Sequence, residues 1–189
     1  MKRLLPAAFL VLLLAGCASV QPKPVWLPAE GTYKSQNGNF AVDLPEGWMR
    51  WNTEDRVRIT RDGFPLQTIG VDLFKVGEPL KHTKKKFEGG MLPQEISAVL
   101  IDDIAMIGGV ASSEVVENVP ARFAGIEGFR VTLRMHMKNG EERMYALYGG
   151  MSGDRVIEIY YVAPSRHYFR RDLETFEGVA RSFRLLKPS

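Results

Sequence analysis

The sequence is poor in the residue types on which most chemistry depends. Cys17 is the single cysteine of 189 residues, so the chain can close no internal disulfide. Its three histidines, His82, His136 and His167, stand far apart, without metal-ligand spacing, and read as surface residues. There is no Gly-x-Ser-x-Gly elbow, no His-Glu-x-x-His pair and no phosphate-cradling glycine loop. Neither is there an apolar run of the ~20 residues that a membrane-spanning helix takes, the longest being Leu4 to Leu14. Charge of either sign is not in excess, with 25 basic against 22 acidic residues, and nothing favours nucleic acid as a partner.

What is present begins with an export signal. Lys2 and Arg3 form a positive n-region, and Leu4 to Leu14 is an h-region too short to span. At the cleavage position stands Leu14-Ala15-Gly16-Cys17. This resembles the lipobox of bacterial lipoproteins. The resemblance implies cleavage before Cys17, diacylation of its thiol and acylation of the new amine. Several acyl chains, at ~0.8 kcal/mol per buried methylene, give a stable attachment where one would not. Lipoproteins kept in the inner membrane commonly carry aspartate after the cysteine, so with Ala18 there the resemblance implies sorting to the outer membrane, with the domain on its periplasmic face. Residues 1–16 are then signal peptide, 17–30 the lipidated cysteine with a proline-rich tether, and 31–189 one domain. Without Lys2 and Arg3 the mature chain carries 23 basic and 22 acidic groups, so the basic isoelectric point says nothing about partners. Pro22, Pro24 and Pro28 favour extended geometry, and residues 18 to 30 would reach about 40 Å at ~3.1 Å per residue.

The domain opens with hairpin signals. Thr32 to Ser35 and Asn39 to Leu44 flank Asn37-Gly38, and Arg56 to Arg61 and Leu66 to Val76 flank Asp62-Gly63. Lys81 to Lys86 is a basic loop. Pro93 to Gly108-Gly109 brackets a helix striped by Ile96, Val99, Leu100, Ile104 and Ile107, with Asp103 on the stripe. Asp102 projects about 100° from Asp103, so the two carboxylates cannot work as a pair.

A linking strand near Val115 to Val119 leads to the clearest β pattern. Phe129, Val131, Leu133, Met135 and Met137 alternate with Arg130, Thr132, Arg134, His136 and Lys138. A two-residue Asn139-Gly140 turn predicts pairing of Met135 with Met144, Leu133 with Ala146 and Val131 with Tyr148. A strand from Val156 to Val162 and a helix from Ser165 to Leu185 follow. That helix is striped by Phe169, Leu173, Phe176, Val179, Ala180 and Phe183. Hairpins, helix, meander and helix make an α+β domain, with helices packed on an antiparallel sheet.

Three stretches carry a second resemblance: Asn39 to Trp48, reading Asn-Phe-Ala-Val-Asp-Leu-Pro-Glu-Gly-Trp, Gly125-x-x-Gly128 before the meander, and Val179-Ala180-Arg181-Ser182-Phe183 near the end. Together they look like the Mog1/PsbP-like fold, over most of residues 32 to 186. Members of that family serve as adaptors, assembly factors and photosystem subunits. The resemblance implies a binding module and carries over no functional residue.

Two functions of different class follow. The first is a non-catalytic binding or assembly lipoprotein, with the membrane as one partner, a protein of the cell envelope as another, and no cofactor. Its docking face is the meander's polar side: Arg130, Arg134 and His136, joined in the expected register by Arg143 and Tyr145, and by Tyr160 beside Glu158 from the next strand. Arginine and tyrosine are frequent at the energetic centres of interfaces; a solvated face laced by charge pairs is the plainer reading. The second function is a small periplasmic hydrolase or metal-dependent enzyme using Asp103 and a histidine, since a carboxylate on an apolar stripe can have a raised pKa. A pocket joining Asp103 to His82 or His136 would favour it. Lys81 to Lys86 suits anionic headgroups or plain solvent. Arg166, His167, Arg170 and Arg171 sit at a helix start, against the dipole's preference for acids, and suit an anion, a partner or a snorkelling surface.

Overall fold

A computed structural model of the chain describes residues 26–35, 39–52 and 56–186. The signal segment, Cys17 and the Asn37-Gly38 turn lie outside the described residues. Eleven strands and two helices are described, in the order β1 (Trp26–Ala29), β2 (Thr32–Lys34), β3 (Phe40–Asp43), β4 (Trp48–Trp51), β5 (Val57–Thr60), β6 (Thr68–Lys75), α1 (Pro93–Ala105), β7 (Val110–Phe123), β8 (Ile126–Met137), β9 (Glu142–Ser152), β10 (Arg155–Pro164), α2 (Tyr168–Ser182) and β11 (Arg184–Leu185). Eight strands form one antiparallel sheet in the order β1-β4-β5-β6-β10-β9-β8-β7, and β11-β3-β2 form a second, small sheet. The α+β class and the antiparallel sheet with packed helices are thus as the sequence predicts.

Besides the last helix, which covers Tyr168–Ser182 and gives way to β11 instead of running from Ser165 to Leu185, two boundaries and one register differ from the sequence reading. The stretch read as tether up to residue 30 already holds β1, whose Trp26 pairs with Trp51 and Ala29 with Trp48. Pro28 is tolerated because β1 is an edge strand, where a missing N–H leaves no ladder bond unmade. The first helix ends at Ala105, ahead of Gly108-Gly109, and Leu92 N–H donates to Glu95 Oε2 at 2.7 Å at its start.

The third difference lies in the β8–β9 hairpin. Its loop is Lys138-Asn139-Gly140, three residues, with Met137 N–H donating to Glu141 O at 2.8 Å and Gly140 at a φ of +84°. A turn closed by a left-handed glycine uses Asn139-Gly140 as its last two positions, not as the whole turn. The register therefore slips by one: Met135 pairs with Arg143, Leu133 with Tyr145 and Val131 with Leu147. A slip of one sends every side chain of β9 to the other face.

The slip goes with a sheet that is covered on both sides. On one face, α2 and the small sheet bury Phe40, Ile59, Ile157, Ile159, Tyr161 and Phe176. On the other, α1 packs on β7, β8 and β9 over Phe129, Val131, Leu133, Tyr145 and Leu147. Alternate residues of β8, β9 and β10 serve different cores, which is why β10 reads as an almost unbroken apolar run.

The glycines of the Gly125-x-x-Gly128 stretch have separate causes. Ala124 and Gly125, at φ of +52° and +80°, make the two-residue turn from β7 to β8. Gly128 lies against β9, where an added Cβ would sit 2.1 Å from Gly149 O.

Candidate functional site

The chemistry of the domain gathers on the α1 face, in a cavity of about 480 Å³ between α1, the basic loop and the sheet. Its floor comes from β5, β6, β9 and β10. In a strand of valine, isoleucine and tyrosine, Glu158 points to this face and is 3% exposed. Tyr145 donates its hydroxyl to Glu158 Oε1 at 3.0 Å. Burial pushes the Glu158 carboxyl up to about 8, and the neighbouring Asp72 carboxylate adds to the effect. Glu158 is therefore mostly protonated at neutral pH, and can donate as well as accept a hydrogen bond. Burial also pushes the Tyr145 and Tyr160 hydroxyls up, so both stay neutral donors.

The tyrosine rings stack at 5.1 Å with an interplanar angle of 19°. Gly70 makes room for this pair, because a Cβ there would lie 2.6 Å from Tyr160 Cζ. Arg58 crosses the Tyr160 ring at 5.1 Å, and its Nη2 meets both Asp72 oxygens at 2.7 Å. Its Nη1 donates to Val57 O and Val71 O, so this guanidinium is fixed from two sides. Leu100, Ile104, Met135 and Val162 make the apolar walls, and Arg56, Lys81 and Arg143 bring positive charge to the lining. The arrangement can hold a small polar group over a neutral carboxyl and two tyrosines while apolar walls exclude water.

The docking face read from the sequence is divided by the sheet. Arg130, Arg134 and His136 lie on the α2 face, and Arg143, Tyr145 and Tyr160 on the α1 face. The one-residue slip of β9 is the reason. Arg130 bonds Glu177 of α2 at 2.9 Å, pairs with Glu117 and lies 5.7 Å from the Tyr148 ring centroid. Arg134 pairs with Glu114 at 3.1 Å, and His136 is exposed opposite Glu142. Arg143 donates to Pro65 O at 2.9 Å. Tyr145 is 6% exposed, in the floor already described.

Asp103 and His82 do line this one cavity. The Asp103 carboxylate, however, accepts from His82 N–H at 3.0 Å, Thr83 N–H at 2.7 Å and Thr83 Oγ1 at 2.9 Å, all at its Oδ1. It fastens the basic loop to α1, and Lys85 pairs with Asp102 beside it. Among the described residues no group of three or more histidine, cysteine, aspartate or glutamate side chains is placed to hold a metal ion.

Two carboxyls are buried that the sequence reading did not place inside: Glu158, put there on the docking face, and Asp172. Glu158 interrupts the apolar run of β10, a signal open to view. Asp172 is 1% exposed on the apolar stripe of α2, three residues after Phe169. It accepts from Gln67 Nε2 at 3.1 Å and from Arg171 Nη2 at 2.6 Å, and Arg171 also pairs with Asp62. Arg171 thereby locks the start of α2 to the β5–β6 turn, which accounts for one of the arginines crowded there.

No protein-family model matches the chain, and no curated protein sequence matches it. Solved structures do. The Ran-binding protein Mog1p of Saccharomyces cerevisiae matches with a TM-score of 0.56 at 11% identity, over 84% of this chain and 96% of that one. The cyanobacterial PsbP of Synechocystis matches with a TM-score of 0.56 at 12% identity, over 91% and 98%. A protein of Bacteroides thetaiotaomicron matches with a TM-score of 0.51 at 11% identity; the likeness covers 84% of this chain and about half, 49%, of that one. At such identities the likeness concerns architecture alone, and the chain has the Mog1/PsbP-like α+β fold.

Proposed function

We propose that this protein is an outer-membrane-anchored periplasmic lipoprotein that acts as a non-catalytic binding module, with the cavity under α1 as its binding site. The observation that carries the reading is the floor of that cavity: a buried carboxyl bonded to Tyr145, beside Tyr160 and a guanidinium held from two sides. Such groups are pre-organised, so a ligand or a partner's side chain meets donors that need no rearrangement. The name of Mog1p, a Ran-binding protein, adds that this fold serves protein recognition elsewhere. The anchor rests on Leu14-Ala15-Gly16-Cys17 behind its n- and h-regions.

A photoreactive residue at position 82, on the cavity wall, tests the site in intact cells. It should yield a protein adduct, whereas one at exposed position 174 on α2 should not. No adduct from position 82, or the same adduct from both, overturns the assignment. The anchor has its own test in the mass of the mature N-terminal peptide. That peptide should begin at Cys17 and carry acyl chains, and Cys17→Ser should leave the chain unprocessed or unacylated. A wild-type mature N-terminus without acyl groups sinks the lipoprotein reading.

The enzyme reading has one observation in its favour, the shared cavity of Asp103 and His82. Its hydrogen bonds favour the binding module, because Asp103 is already committed to holding the loop. A hydrolytic or metal-dependent activity lost on Asp103→Asn, in a chain that stays folded, would reverse this order.

A further inference from the structure

Helix α1 covers the β7–β9 side of its face, and the β1–β4–β5 side of the same face carries a cluster of large aromatic rings. Trp26 of β1 stacks on Trp51 of β4 with centroids 6.3 Å apart, and Phe64, from the β5–β6 turn, lies 4.7 Å from Trp26 and 5.5 Å from Trp51. Trp26 is 44% exposed and Met49, next to them on β4, 36%. Ring clusters of this size ordinarily lie inside a protein, and an exposed one marks a contact surface.

We infer that Trp26, Trp51, Phe64 and Met49 form a membrane-contact patch that seats the domain on the headgroup layer of the bilayer holding its anchor. The inference rests on the lipoprotein reading for the position of the patch. Only eight residues separate Cys17 from Trp26, so a chain anchored at Cys17 keeps this edge of the sheet within about 30 Å of the bilayer even when fully extended. Trp26 is thus the described residue nearest the anchor in sequence.

Its chemistry suits that position. Indole rings favour the boundary between headgroups and acyl chains, where one side of the ring is apolar and its N–H is wet. Positive charge lies alongside: Phe64 lines the α1 cavity together with Arg56 and Lys81, and Lys81 opens the basic loop. An anionic headgroup layer complements that rim. A second copy of the chain and a soluble protein are the other occupants such a patch could take, and the test separates them from a membrane.

The chain from residue 18 onward carries every described element and has no cysteine to acylate, so it reads membrane contact independently of the anchor. Its probe is vesicles of phosphatidylethanolamine with a minor share of phosphatidylglycerol, some of the acyl chains brominated. Expected are co-sedimentation with the vesicles and quenching of tryptophan emission by the bromine. Trp48, 4% exposed in the other core, is the internal control. In the double variant Trp26→Phe, Trp51→Phe it is the remaining indole of the three and should stay unquenched. Losing one buried aromatic should weaken vesicle affinity by at least about tenfold, and this is expected of Phe64→Ser, a turn substitution, as well as of Trp26→Ala. Having the two variants guards against one that unfolds. Vesicle affinity unchanged in a folded variant overturns the inference, as does self-association that Trp26→Ala abolishes while the parent ignores vesicles. The full-length acylated protein closes the comparison. Acylated and membrane-bound but with Trp26 and Trp51 unquenched, it refutes the patch alone. An unacylated Cys17 with vesicle binding intact refutes the anchor alone.

Discussion

Raising the pH from about 5 to about 9 is expected to cost the wild-type domain on the order of 4 kcal/mol of stability that Glu158→Gln does not lose. In the folded chain Glu158 holds its proton up to about 8, against an ordinary value of 4.5. Between these values the folded state binds a proton that the unfolded state has released, so stability falls as pH rises and levels off above about 8. The cause is burial first and Asp72 second, partly offset by the hydrogen bond from Tyr145 and by Arg58. Tyr145 from β9, Asp72 from β6, Arg58 from β5 and Asp103 from α1 all bear on this carboxyl. Glutamine keeps the shape and can still accept from Tyr145, but it cannot ionise. Every other group is common to both proteins, so the difference between two urea series across pH isolates Glu158. The two should agree near pH 5 and part steadily above it. Parallel curves would show that Glu158 ionises near its ordinary value and that the cavity floor is wet.

The same residue shows where sequence reading stops. Alternation along Phe129 to Met137 correctly marks one face of β8 as core, but alternation is silent on whether the other face is covered too. Assuming it open put Arg130, Arg134 and His136 with Arg143, Tyr145 and Tyr160 on one docking surface. The β8–β9 loop decided otherwise, since Asn139-Gly140 fits a two-residue and a three-residue turn equally well, and one residue of difference reverses β9. The better guide was β10. Val156 to Val162 is apolar on both alternating sets except at Glu158, the pattern of a strand buried on both sides, and that single carboxyl marks the cavity floor. Helix spacing served better. The stripe of α2 and the start of α1 at Pro93 were legible because the period of 3.6 needs no partner strand. Asp103 was legible as an oddity, though its partners, backbone N–H groups of His82 and Thr83, are donors that every residue but proline carries and that leave no trace in sequence. Trp26 was hidden by its neighbours, because prolines on either side suit an edge strand as readily as a tether.

Phe176→Ala should remove on the order of 3–5 kcal/mol, the range for deleting a fully buried aromatic whose site cannot collapse. Phe176 is 0% exposed and sits midway along α2, facing the sheet. Its ring lies 5.8 Å from Tyr161 of β10 and 6.1 Å from Tyr148 of β9. Both tyrosines are held from elsewhere: Tyr161 donates to Tyr168 O at 2.7 Å, and Tyr148 to Glu177 Oε2 at 2.7 Å. Neither ring can swing into the space without breaking that bond, so the cavity persists and its cost adds to the lost transfer energy. Urea unfolding of a single domain should stay one cooperative transition, with a lower midpoint and an unchanged slope. Glu174→Ala, two residues away on the exposed side of α2, should move stability by less than about 0.5 kcal/mol. A loss below about 1 kcal/mol at Phe176, or equal losses at the two positions, would mean that α2 does not pack on the sheet through this stripe, and the architecture of the core between α2 and the sheet would fall with it.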